Sequence, residues 1–93
     1  MISNIKLNDT DRFNELGLLV NNNFINVYNL EELLNSQYDY VFGYYEDDKL
    51  LGFIHVSKLY ETMDIVNIVV DTNYRKKGIA SSLIDYVISL FDD

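Results

Sequence analysis

Ninety-three residues make one domain at most, and a formal net charge of −8 argues against nucleic acid as the main partner, because phosphates are held by Lys and Arg. The absence of cysteine excludes a disulfide framework and a thiolate metal site, and no apolar run approaches the length of a membrane span. The start, Met1-Ile2-Ser3-Asn4, lacks a charged-then-apolar leader pattern, so the expected location is the cytoplasm.

Residues 2–7 alternate enough, through Ile5 and Leu7, to predict a short first strand. Asn8-Asp9-Thr10-Asp11 is turn- and cap-like. Residues 12–22 then carry Phe13, Leu16, Leu19 and Val20 at helical spacing, and Asn21-Asn22-Asn23 ends that helix. Gly17 weakens it by about 1 kcal/mol relative to alanine. Phe24, Ile25, Val27 and Tyr28 read as an apolar link. Asn29 is the predicted N-cap of a short helix over residues 30–35, with Glu32 at the capping-box position and Leu30, Leu33 and Leu34 turned inward.

Residues 40–45 and 50–60 predict a hairpin around the polar turn Glu46-Asp47-Asp48-Lys49. Gly52, inside the second strand, marks a bulge or a close backbone neighbour. His55 is the only histidine; a lone strand histidine is expected to be packed, and without a second ligand it makes no metal site. Glu61-Thr62-Met63 is predicted to turn the chain into a further strand at Asp64.

That next stretch organises the rest. Ile65, Val66, Ile68, Val69 and Val70 are apolar and β-branched, which predicts a strand buried on both faces. The polar turn Asp71-Thr72-Asn73-Tyr74 follows, then the cationic loop Arg75-Lys76-Lys77-Gly78. A helix opens directly from it, with Ile79, Leu83, Val87 and Phe91 on one stripe. Three of the chain's seven Lys and Arg residues stand at this one helix start. First-turn amides lack partners within a helix and the dipole adds partial positive charge, so strand, basic glycine turn and helix form either a layout that holds phosphate or an ordinary solvated surface turn. The acidity elsewhere serves solubility and would also attract a cationic substrate such as an amine.

Arg-x-x-Gly-x-Ala, after I-V-N-I-V-V-D and before a Leu-Ile helix, resembles the acetyl-CoA pyrophosphate motif of the GNAT acetyltransferase superfamily. N-I-V-V-D-T-N-Y-R-K-K-G-I-A looks most like the RimI-type ribosomal-protein alanine N-acetyltransferases. The resemblance implies acetyl-CoA as cosubstrate, with the strand residues Ile68, Val69 and Val70 along its pantetheine arm, Ile68 and Val70 pairing with it. It implies a pyrophosphate cradle of Arg75, Lys76, Lys77, Gly78, Ile79, Ala80 and Ser81. Ala80 stands where many members have a second glycine. Asp64 falls near the position where some members hold a general-base carboxylate, and Glu61 is the second candidate, though a solvated strand end explains both better. Residues 24–28 would form a wall facing the acceptor, each side chain singly being better explained by core packing.

The implied fold is α/β, with three antiparallel strands leading into the strand-loop-helix: a single domain covering the first half or more of the GNAT fold. The family continues with a further strand, a second motif and a closing hairpin, from which RimI-like enzymes take a catalytic glutamate and tyrosine. Asp92 and Asp93 at the negative end of a helix dipole, without a capping Gly or Asn, add to the expectation of a C-terminally incomplete domain. A bare apolar strand edge would then invite a homodimer. The expected function is acetyl transfer from acetyl-CoA to an amine, a protein N-terminus above others, with little activity from these residues alone. The alternatives are a small-molecule amine acetyltransferase and a non-enzymatic module that binds coenzyme A or another anion.

Overall fold

The computed structural model describes residues 1–92; the expectation for Asp93 lies outside them. Two tight reversals set the architecture. Asp47 and Asp48 both take positive φ, 50° and 65°, as the two-residue hairpin turn that matches strand twist requires. Strand β2 (Asp39–Glu46) therefore runs longer than the sequence predicts, strand β3 (Lys49–Leu59) starts and ends one residue earlier, and Glu46 pairs with Lys49. The second reversal is Tyr60-Glu61, with Tyr60 at φ 57°, rather than the expected Glu61-Thr62-Met63. Strand β4 thus begins early, at Thr62, and runs to Val70. Strand β1 (Ile2–Asn4) is shorter than expected, because Leu7–Asp9 forms a 3-10 turn and leaves Leu7 exposed. The sheet order is β1-β2-β3-β4, with every neighbouring pair antiparallel.

Helices cover both faces. On one face Val41, Phe53 and Val69 pack against Phe13 and Leu16 of α1 (Thr10–Gly17), Phe24 of α2 (Phe24–Val27) and Leu30 of α3 (Leu30–Asn35). On the other face Phe42, Ile54 and Val56 meet Ile79, Leu83 and Val87 of α4 (Ile79–Phe91), spaced as one helical stripe. Asn29 caps α3 as expected, its Oδ1 accepting from Glu32 N at 3.0 Å.

Four expectations need correcting. The first helix stops at Gly17, so Leu19 and Val20 are exposed instead of facing the core. The reason is Phe24: a Cβ on Gly17 would lie 2.2 Å from its ring, and the chain turns there so that the ring can seat against the helix end. The apolar link is a helical turn, with Phe24 in the core and Ile25 and Val27 exposed. Leu34 also faces outward, because α3 is too short to present more than Leu30 and Leu33 to the sheet. Finally, β4 is not buried on both faces. Only Val69 is buried, and Ile65 and Val66 are 44 % and 37 % exposed, because β4 has a strand on one side only.

Both readings of Gly52 hold. Tyr44 pairs with Gly52 and Tyr45 with Leu50, so Leu51 is the extra residue of a bulge. A Cβ on Gly52 would come within 2.7 Å of Val69 O, so β3 and β4 approach closely only because it is absent.

Candidate functional site

The end of β4 and the start of α4 enclose one cleft. Its volume is about 370 Å³. Ile68, Val69 and Val70 form its strand wall, and Gly78, Ile79, Ala80 and Ser81 its helix wall. Tyr74, Arg75 and Lys76 line the turn between them, and Val20 reaches in from the loop after α1.

The helix wall is built for an anion. The first intrahelical bond is Ser82 N to Gly78 O at 2.9 Å, so the amides before Ser82 have no acceptor within α4. Gly78 stands at the cap with φ 80°, a left-handed conformation that glycine adopts freely, and no side chain caps the helix. A Cβ added at Gly78 would meet nothing within 4 Å, so its open side is room for a ligand rather than for a neighbouring side chain. Ala80 and Ser81 are exposed and small, which keeps the first turn accessible. Arg75 and Lys76 are exposed, with Arg75 Nε donating 3.3 Å to Val70 O at the strand end. Lys77 takes a different post: its Nζ lies 5.5 Å from the Tyr74 ring centroid, and it is not among the residues lining the cleft.

Arg12 holds this turn in place, a role the sequence reading missed. Its Nε donates to Leu50 O at 2.8 Å and its Nη2 pairs with Asp71 Oδ2. Asp71 in turn accepts from Asn73 N at 2.8 Å through Oδ1, capping a 3-10 turn over Thr72–Tyr74, and its own amide donates to Leu51 O at 2.8 Å. One guanidinium thus ties α1, β3 and the approach to α4 together. The available signal was an arginine in the first helical turn of a chain with only seven basic residues.

The hydrogen bond from Arg12, then that from Asn73 N, hold the Asp71 carboxyl below the ordinary carboxylate range against an opposing effect of burial. A depressed folded-state pKa contributes stability above the unfolded value, near 3.8, and loses it as pH falls through the folded one. Asp71→Asn is therefore expected to lower stability by about 1 kcal/mol at neutral pH, a figure discounted for partial exposure of the pair. The deficit should vanish in acid below the folded pKa of Asp71. Denaturant titrations of both proteins at neutral and acid pH check this, and an equal deficit at both would refute it.

The two carboxylate candidates stand away from the cleft. Asp64 is the third residue of β4, not its start; it pairs with Ser57, is exposed, and lies six residues along the strand from Val70. Glu61 is in the reversal before β4 and lines a shallow hollow with Lys58, Met63 and Phe91 beside the far end of α4. Among the described residues no group of His, Cys, Asp and Glu is placed to hold a metal ion, and no helix is long and apolar enough to cross a membrane.

The fold and this cleft have relatives among solved structures. The ribosomal-protein-S18-alanine N-acetyltransferase from Escherichia coli superposes with a TM-score of 0.79 at 15 % identity, over 98 % of this chain and 58 % of that one. The paia N-acetyltransferase from Thermoplasma acidophilum, in complex with coenzyme A, gives 0.81 at 16 % identity, over 98 % of this chain and 70 % of that one. The ribosomal-protein-alanine N-acetyltransferase from Brucella melitensis biovar Abortus gives 0.75 at 27 % identity, covering 96 % and 68 %. The chain thus spans little more than half of the first of these enzymes. No curated protein sequence matches significantly. The sequence profile of the acetyltransferase (GNAT) family matches residues 9–93, which include both walls of the cleft, and the chain belongs to that family.

Proposed function

We propose that the cleft binds acetyl-CoA and serves acetyl transfer to an amine, a protein N-terminal amine above other acceptors. The observation that carries this reading is the union, in one cleft, of an edge strand with the unpartnered first turn of a helix. The two surfaces suit the two halves of the cosubstrate. The outward backbone edge of β4 offers hydrogen-bonding groups along Ile68–Val70 to the amide-bearing pantetheine arm. The α4 amides, with Arg75 and Lys76, offer donors and charge to the pyrophosphate. The open side of Gly78 fits this, since a backbone amide reaches phosphate only where no side chain intervenes. The acceptor preference draws on the likeness to ribosomal-protein-alanine acetyltransferases, one of them 27 % identical.

Acetyl transfer breaks the thioester C–S bond and forms a C–N bond, and it needs the amine in its neutral form. Among the chain's own residues, Ile68–Val70 would hold the cosubstrate's arm, and the α4 amides with Arg75 and Lys76 its pyrophosphate. Calorimetry with acetyl-CoA should show binding that weakens as salt rises, as pairing with Arg75 and Lys76 requires. Absence of binding at low salt would reject the assignment. Incubation with peptides bearing free N-terminal alanine, with polyamines and with aminoglycosides, read by mass spectrometry, sorts the acceptors. Acetylation confined to the small amines would overturn the protein-N-terminus reading.

A further inference from the structure

His55 is 3 % exposed in mid-β3, and its ring has two very different sides. Nε2 lies 2.7 Å from Asp39 Oδ1 on β2, and Asp39 Oδ2 also accepts from Ser36 Oγ at 2.7 Å. Burial pushes the Asp39 carboxyl up, but the hydrogen bonds from His55 and Ser36 outweigh it and hold it below its ordinary value. An ionised Asp39 only accepts, so the proton of a neutral His55 belongs on Nε2 and the lone pair on Nδ1. That Nδ1 is buried and has no partner.

Across the ladder, Asn67 of β4 is the register partner of His55, so the two side chains share a face of the sheet. Asn67 Nδ2 is also buried without a partner. A bare acceptor and a bare donor therefore stand on paired residues of neighbouring strands, and among the described residues no other buried side-chain nitrogen or oxygen lacks a partner. Native interiors rarely leave such groups unmet, and two together mark a place for a small polar guest. Two residues along β4 on that same face, Val69 lines the cleft. The groups facing His55 are Asp39 from β2, Tyr28 after α2, whose ring meets the imidazole edge-on at 5.8 Å, and exposed Asp64 one register step further, opposite Ser57.

We propose that His55 Nδ1 is the base that receives the acceptor amine's proton, relayed by one water between it and Asn67, with Asp39 as the positioning residue that fixes the tautomer. This rests on the acetyl-transfer reading above. The ammonium N–H bond breaks and its proton passes through the water to Nδ1, giving an imidazolium paired with the Asp39 carboxylate. The freed lone pair attacks the thioester carbonyl carbon. As the C–S bond breaks, its electron pair leaves on sulfur, which takes the second proton from nitrogen. His55 then returns the Nδ1 proton through the same water, which restores the Nε2–H tautomer paired with Asp39.

A single histidine makes the test unambiguous. In the 15N-labelled chain, two-bond 1H–15N correlation should show the Nε2–H tautomer, with an unprotonated Nδ1. Adding coenzyme A and then alaninamide should move the Nδ1 resonance, and Asn67→Ala should abolish that movement while keeping the tautomer. A proton on Nδ1 in the free protein overturns the proposal. So does an Nδ1 resonance that stays fixed while alaninamide shifts the β4 amides of the coenzyme A complex. If coenzyme A leaves the Gly78 amide unmoved, the cosubstrate reading itself fails, and the role of His55 falls with it.

Discussion

Replacing Gly78 with asparagine is expected to weaken coenzyme A binding about 100-fold while leaving the fold standing. Asparagine is among the few residues that enter the left-handed region without large strain, so φ 80° survives the change at about 1 kcal/mol. A Cβ at this position also meets nothing within 4 Å. That same space is where a pyrophosphate must come to touch the helix amides. Losing two charge-assisted hydrogen bonds at roughly 1.5 kcal/mol each corresponds to about two orders of magnitude in affinity. Thermal melting and calorimetry separate the two effects. A variant that binds as tightly as the parent would show that no ligand approaches over Gly78.

Gly17→Ala is expected to destabilise the chain by about 3 kcal/mol, although helix propensity alone predicts a gain of roughly 1 kcal/mol. The new methyl would lie 2.2 to 2.4 Å from three ring carbons of Phe24. That ring is fully buried and cannot retreat: Phe13 meets it at 5.2 Å between centroids, Tyr28 at 5.0 Å and Phe53 at 6.1 Å. Adding Phe24→Leu should recover part of the loss, because the smaller side chain opens the space the methyl needs. The combined change would then be less destabilising than the sum of the single ones. Urea denaturation of the four proteins gives the coupling directly. A stabilised Gly17→Ala would mean that the glycine matters only to the helix.

The strongest sequence signals were those in which several local rules agreed. In α4 a four-residue stripe, a glycine at the cap and cations in the preceding turn all point to one helix start, and Ile79, Leu83 and Val87 are indeed buried. Asn29 and a polar turn between β2 and β3 were legible for the same reason, as short-range chemistry decides them, though the turn is tighter than the four residues 46–49. What failed was decided by partners distant in sequence. Leu19 and Val20 continue a helical pattern, yet the helix ends where Phe24 docks on Gly17. The apolar run of β4 reads as a strand covered on both faces, yet only Val69 is buried, while its place at a sheet edge agrees with the expectation. The clamp of Arg12 on Leu50 and Asp71 joins residues 38 and 59 positions apart, and no local pattern reports it.

The one-sided pairing of β4 has a consequence for its amide protons. In an antiparallel ladder, alternate N–H groups point to the neighbour and away from it, so half of those in an outermost strand face water. Solvent deuterium should therefore enter β4 in a two-speed pattern, fast at outward amides and slow at those bonded to β3. A molecule lying along Ile68–Val70 would slow the fast set there and leave its counterpart near Thr62 unchanged. The strand thus carries its own footprinting ruler, one that reports what lies along the cleft without any substitution.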